Sequence, residues 1–303
     1  MIGEQRQRHA LAIGKNSMHI ARSNGLNLTR TAGTRRMLLA AGLLGATLSV
    51  VPGASAQSFD HSHAAWTALL KKNVVLLDGG KASQMRYAGM AADRAALKAY
   101  LAQLSAVGTQ TYEAFSKPQQ QAFLINAYNA FTVELILTKY PKLESIKDLG
   151  GLLTKPWSIK FVPLLGATLT LDNVEHDKLR ERGRFDDPRV HFAVNCASIG
   201  CPMLREEAFV AERLDEQLDE QAQRFLSDRS RNRVRDGKLE VSKIFDWYGG
   251  DFKLGHRGIT SLPAFLARYA NQLADAPADR ERVKTQALTV SFTDYDWALN
   301  DVR

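Results

Sequence analysis

The sequence predicts an α+β fold in which a helical N-terminal part packs on a small antiparallel or mixed sheet. Two observations carry this. Apolar residues recur at helical spacing through the first half of the body, whereas short strand-like runs cluster later. That order differs from the regular strand-helix alternation of a doubly wound fold. With 303 residues, 45% apolar and 24% charged, the composition is that of a globular chain and excludes a disordered, collagen-like or disulfide-dense one.

The elements follow in order. Trp66, Leu69, Leu70 and Val74 give a one-faced helix within His61 to Leu77, and Leu97, Tyr100, Leu101 and Leu104 give another within Ala91 to Leu104. Ser116-Lys117-Pro118-Gln119 supplies an N-cap, an early proline and a capping-box glutamine for a third helix ending near Tyr140-Pro141. Phe123, Leu124, Ile125, Phe131, Val133, Leu135 and Ile136 surround its axis, the signature of a helix through the middle of a domain. Ile159 to Val162 and Thr168 to Leu171 flank Gly166 as a hairpin, and Asp172 to Glu175 has capping-box spacing for a helix through Leu179. Val190 to Val194 is a short strand candidate, and Leu214 to Leu226 a charged surface helix. A helix starts at Ser261-Leu262-Pro263 and runs to about Leu273, and Ala287 to Phe292 forms a late strand.

The first 56 residues stand apart. They hold seven Lys/Arg and one acidic residue, so most of the formal net charge of +8 lies there and the rest of the chain is close to balanced. A body without a dense positive field is not built for phosphate backbones, and no nucleic-acid partner is expected. Arg35-Arg36, an uncharged run from Met37 to Val51, and Ala54-Ser55-Ala56 read as an export signal cleaved near Ala56. The paired arginines resemble a twin-arginine signal, with a general secretory signal as the alternative. The run is short for a bilayer, so no permanent membrane span is expected. The reading is therefore a signal at 1–56 and a single periplasmic or secreted domain at 57–303.

Chemistry-bearing residues concentrate in two places. Asn126 and Asn129 lie three apart on the all-round apolar helix, so their amides need buried partners in the backbone or in a polar pocket. Glu175-His176 and the run from Asp187 to Pro202 contain both cysteines, Cys196 and Cys201, and two histidines, His176 and His191. In a strand from Val190 to Asn195, His191 and Asn195 would share a face beside Cys196. A thiol needs a base or positive neighbour to ionise near neutral pH, and His191 or His176 could serve with Glu175 or Asp246 orienting the ring. Asp251 offers a second acid in the run Lys243 to Phe252, whose plainer reading is aromatic packing around a turn.

Other readings of the cysteines stay open. Two cysteines five positions apart in an exported chain suit a structural Cys196–Cys201 disulfide, and a bonded Cys196 attacks nothing. The pair could instead be redox active, although its spacing is wider than Cys-x-x-Cys. His176, His191, Cys196 and Cys201 have zinc-type donors without zinc-type spacing, so neither a metal nor another cofactor is expected. His61, His63 and His256 read as solvated.

Phe123 to Ala130, Leu171 to His176, Asp187 to Ala197, Cys201-Pro202 and Tyr295 to Asn300 resemble, in that order, the family named domain of unknown function 547. Some proteins of that family join the domain to glutaredoxin-like modules, which implies thiol chemistry; plant relatives carry coiled-coil segments, which imply partner binding. The helix bearing Asn126 followed by a His-bearing strand also resembles, at fold level, the papain and transglutaminase architecture.

The expected site therefore takes His176, His191, Cys196, Glu175 and Asn126 as catalytic candidates and Asn129, Asn195 and Asp246 as ligand-binding ones. It suits a thiol-dependent hydrolase or transferase acting on a peptide or small polar molecule. The alternative is a non-catalytic binding module clasped by a Cys196–Cys201 disulfide.

Overall fold

The computed structural model describes residues 59–151 and 154–302; the expected export signal lies outside them. Chain order begins with α1 (Ala64–Asn73), β1 (Val74–Leu77), β2 (Ala82–Met85), α2 (Tyr87–Ala92), α3 (Arg94–Ser105), α4 (Thr109–Glu113) and α5 (Lys117–Leu137). The hairpin β3 (Val162–Leu164) and β4 (Ala167–Leu169) follows, then α6 (Leu214–Leu226), β5 (Arg233–Arg235), β6 (Lys238–Val241) and α7 (Ile244–Trp247). Three helices, α8 (Leu262–Arg268), α9 (Ala270–Leu273) and α10 (Pro277–Lys284), precede β7 (Thr289–Phe292). The α+β class holds. Instead of one sheet the described residues form three small ones: β1–β2 and β3–β4 are antiparallel pairs, and in β5–β6–β7 the first pairing is antiparallel and the second parallel. Among the described residues no helix is long and apolar enough to cross a membrane.

Helix α5 is the axis. The Ser116 hydroxyl accepts from Gln119 N–H while Gln119 Oε1 accepts from Ser116 N–H, the reciprocal box expected from the sequence. Nearly all of its residues are buried, in an apolar cluster shared with Trp66, Leu97, Tyr100, Leu104 and Val174. A second cluster gathers Phe192, Phe225, Phe245, Phe252 and Phe265.

Several expected boundaries shift for identifiable reasons. Helix α1 stops at Asn73 because Val74 opens a strand, and Gly79 and Gly80 at positive φ turn that strand back on itself. The helix expected from Ala91 is broken at Asp93, whose carboxylate accepts from Lys72 and Asn73 on α1. The helix toward Leu273 breaks at Tyr269, whose hydroxyl donates to Asp219. The turn after β4 starts from a box between Thr170 and Asn173, not Asp172 and Glu175, and continues as a π-helical turn over Asn173–Leu179.

The expected strand at Val190 to Val194 is overturned. Pro188–Phe192 is a 3₁₀ turn, not a strand. Asp187 caps it by accepting from Arg189 N–H, and Pro188 sits at its first position with φ already set for a helical start. Val190 consequently joins the cluster around α5 while Phe192 joins the second cluster, a division that strand alternation would not produce. The papain and transglutaminase likeness rested on a His-bearing strand, and His191 lies on this turn instead.

Candidate functional site

Asparagines from α5 build the loop that carries the thiols. Asn129 donates to Ala193 O (2.9 Å) and accepts from Asn195 N–H (2.8 Å). Asn195 in turn donates to Pro202 O (2.7 Å) and accepts from Ala197 N–H (2.9 Å). Asn126 is wholly buried, and both ends of its amide are spent on the backbone of Phe209, at 2.7 and 3.0 Å. None of the three is among the residues lining the cavity described next. Their expected roles as polarising or ligand-binding groups are therefore corrected: the buried amides of Asn126 and Asn129 on the apolar helix, and of Asn195 in the loop, are spent on backbone partners.

The same loop is zipped to the C-terminal segment. Ile199 N–H donates to Ala298 O and Gly200 N–H to Asp296 O, each at 2.8 Å. A Cβ at Gly200 would lie 2.9 Å from the Asp296 backbone, so this approach requires glycine. It brings Tyr295 against Cys196 and Trp297 into the same cavity lining.

The resulting cavity has a volume of about 620 Å³. Cys196, Cys201 and His191 line it together with Glu175 and His176 of the π-helical turn. Trp157, Trp247, Tyr248, Tyr295 and Trp297 form aromatic walls, and Lys147 and Lys155 are exposed at its border. Tyr295 packs on Trp297 with ring centroids 4.5 Å apart, and Lys147 sits 3.8 Å over the Trp297 ring.

His191 is buried and stacks on Tyr248 at 4.1 Å between centroids. Its Nε2 lies 2.8 Å from Asp251 Oδ2. Burial favours a neutral Asp251, but hydrogen bonds from His191 and Arg180 outweigh it and hold the carboxyl well below its usual range. An ionised acceptor makes Nε2 the donor, so neutral His191 keeps Nδ1 as its basic nitrogen. Arg180 grips Asp251 through Nε (2.5 Å) and Nη2 (3.2 Å) and donates from Nη1 to His176 Nδ1 (2.5 Å). Guanidinium groups only donate, so His176 carries its proton on Nε2.

Glu175 is buried near Tyr248, and burial followed by that carboxylate pushes the Tyr248 phenol up. Asp251, not Glu175 or Asp246, therefore orients His191. Asp246 is on α7, pairs with Lys243 at 2.8 Å and does not line the cavity.

The sulfurs of Cys196 and Cys201 stand 2.9 Å apart in this structure, within hydrogen-bonding contact. The Cys196 sulfur also meets Ser198 Oγ at 3.2 Å and Tyr295 Oη at 3.1 Å. Hydrogen bonding from Cys201, opposed by burial and aided by Ser198 and Tyr295, holds the Cys196 thiol below its ordinary value. Burial pushes Cys201 well above it. Among the described residues neither His176 nor His191 hydrogen-bonds to the Cys196 sulfur. The cavity brings imidazole and thiol together without the direct contact expected between them. Among the same residues no group of three or more His, Cys, Asp or Glu is arranged to hold a metal ion.

Arg180, Tyr248 and Tyr295 escaped the sequence reading of the site. Arg180 follows His176 by one helical turn, and Tyr248 and Tyr295 sit in aromatic runs that packing alone explains. Their placement here follows from contacts spanning up to 99 positions.

A family model described as "Protein of unknown function, DUF547" matches residues 112–226, which include both cysteines, Glu175, His176 and His191 but neither Asp251 nor Tyr295. None of the curated proteins and none of the solved structures matches the chain.

Proposed function

We propose that this chain, whose residues 112–226 belong to the domain of unknown function 547 family, is an exported thiol-dependent hydrolase or transferase acting on a peptide or small polar acyl compound. One observation carries the reading: a single cavity holds a thiol surrounded by proton donors and an imidazole fixed by a carboxylate.

The roles divide as follows. Cys201, Ser198 and Tyr295 stabilise the Cys196 thiolate, a task that elsewhere falls to an adjacent imidazolium. The thiolate adds to the acyl carbonyl and the C–X bond breaks. His191, in its protonated form, gives a proton from Nδ1 to the leaving group. As a neutral base it then takes one from water or an acceptor nucleophile that attacks the thioester. Asp251 stabilises the imidazolium that His191 carries before the first transfer and regains in the second, and acid-base assistance of this kind contributes roughly 10²- to 10⁴-fold.

Turnover of a panel of thioesters and activated esters tests this. Cys196→Ala should abolish it. His191→Asn should lower kcat/KM by roughly 10²- to 10⁴-fold while alkylation of Cys196 continues at a similar rate. Full activity in either variant would refute the reading.

The contact between the two sulfurs favours a second reading, a binding module with a Cys196–Cys201 clasp. It requires ligand binding to survive Cys196→Ala and turnover to be absent from wild type.

A further inference from the structure

The two thiols are held against each other by contacts unrelated to acyl chemistry. Cys196 N–H donates to Cys201 Sγ at 2.9 Å, and Cys201 N–H donates to Ser198 O at 3.1 Å. Arg231, paired with Asp228, donates to the carbonyls of Cys201 and Ile199. The pairing of Ile199 and Gly200 with the C-terminal segment pins the turn between the cysteines. The entropy of bringing the sulfurs together is thus met by the fold. A bond requires them to close only from 2.9 Å to about 2.05 Å. Cys196 is partly exposed, and Cys201 is buried.

We propose that Cys196 and Cys201 form a dithiol–disulfide couple that exchanges electrons with a low-molecular-weight disulfide admitted by the aromatic cavity. This goes beyond the acyl-transfer reading and needs neither His191 nor Asp251. Cys196, losing its proton, attacks one sulfur of the disulfide. Its Sγ bonds to that sulfur, the ligand's S–S bond breaks, and the departing thiolate takes up a proton. Cys201 then loses its proton and attacks Cys196 Sγ, expelling the second thiolate, which is protonated in turn. Two electrons pass from the cysteines to the disulfide, giving two free thiols and a Cys196–Cys201 bond, and excess thiol reverses both steps.

The environments suit these roles. The partly exposed Cys196 is kept nearer ionisation by its donors, as an attacking thiol requires, and burial keeps Cys201 protonated until the mixed disulfide forms. A cavity of about 620 Å³ has the size of a small-ligand site, not of a protein-docking surface.

The test uses the full chain, reduced and then equilibrated with mixtures of reduced and oxidised glutathione, quenched by alkylation and weighed intact. Both thiols should disappear together, with reversal when the ratio is restored. Cys201→Ser should accumulate a glutathione adduct on Cys196 about tenfold above wild type, because the resolving thiol is missing. Thiols that remain alkylatable at every ratio, or a bond that excess thiol cannot reopen in the folded protein, would overturn the proposal. So would an adduct in Cys201→Ser no greater than in wild type. Should that variant fail to fold, the wild-type titration alone decides. A pair that exchanges but never carries an acyl group refutes only the acyl-transfer reading.

Discussion

His191 and Asp251 stand 60 positions apart and meet through Nε2 and Oδ2 at 2.8 Å. That contact joins the 3₁₀ turn before the cysteine loop to the segment after Gly249-Gly250, and Arg180 locks it from the π-helical turn. The position and tautomer of the imidazole thus depend on one carboxylate.

Asp251→Asn should lose an ionic partner for Arg180 and the charged acceptor for His191. Hydrogen bonds to charged groups contribute about 1.5–3 kcal/mol each, so denaturant unfolding should show a loss at least of that order. Turnover should fall as far as in His191→Asn. A stable variant with unchanged turnover would remove Asp251 from the machinery.

Asn126→Ala leaves the N–H and C=O of Phe209 without their side-chain partner in the core. Each buried unpaired group costs about 1–3 kcal/mol, so the variant should be strongly destabilised, while its folded fraction retains normal Cys196 alkylation. Intact stability with lost ligand binding would restore Asn126 to the cavity.

His63, expected to be solvated, is buried and bonded through Nδ1 to Tyr100 Oη at 2.7 Å. Burial chiefly pushes its pKa down to about 4 from 6.5. The unfolded chain then binds a proton near pH 6.5 that the folded chain refuses until about pH 4. The stability due to neutral His63 is complete above pH 6.5 and falls between 6.5 and 4, by on the order of 3 kcal/mol. His63→Asn, which tolerates the local φ of 48°, should lack this slope. Equal slopes in wild type and variant, measured by denaturant unfolding across that range, would contradict the assignment.

What the sequence made legible depended on local rules. Helix α5, its capping box and its burial were readable because all three are set by neighbours in the chain. Leu214–Leu226 was readable for the same reason. Val190–Val194 was misread because alternation over five residues fits a strand, whereas Asp187 and Pro188 start a helical turn. At the site, His191 and Cys196 were found by residue type, but the choice of Asp251 over Asp246 was not. Two acids five positions apart look alike until the fold turns one toward the ring and leaves the other with Lys243. Asn126 and Asn129 showed that they were buried, not what satisfied them.

The most direct measurement is intact-mass analysis of acid-quenched full chain during turnover of a thioester. An acyl adduct mapped to Cys196 is expected, absent from Cys196→Ala and longer-lived in His191→Asn, where the group that activates the attacking water is missing. An unmodified Cys196 throughout turnover, or an adduct whose lifetime ignores His191, would contradict the acyl-transfer reading.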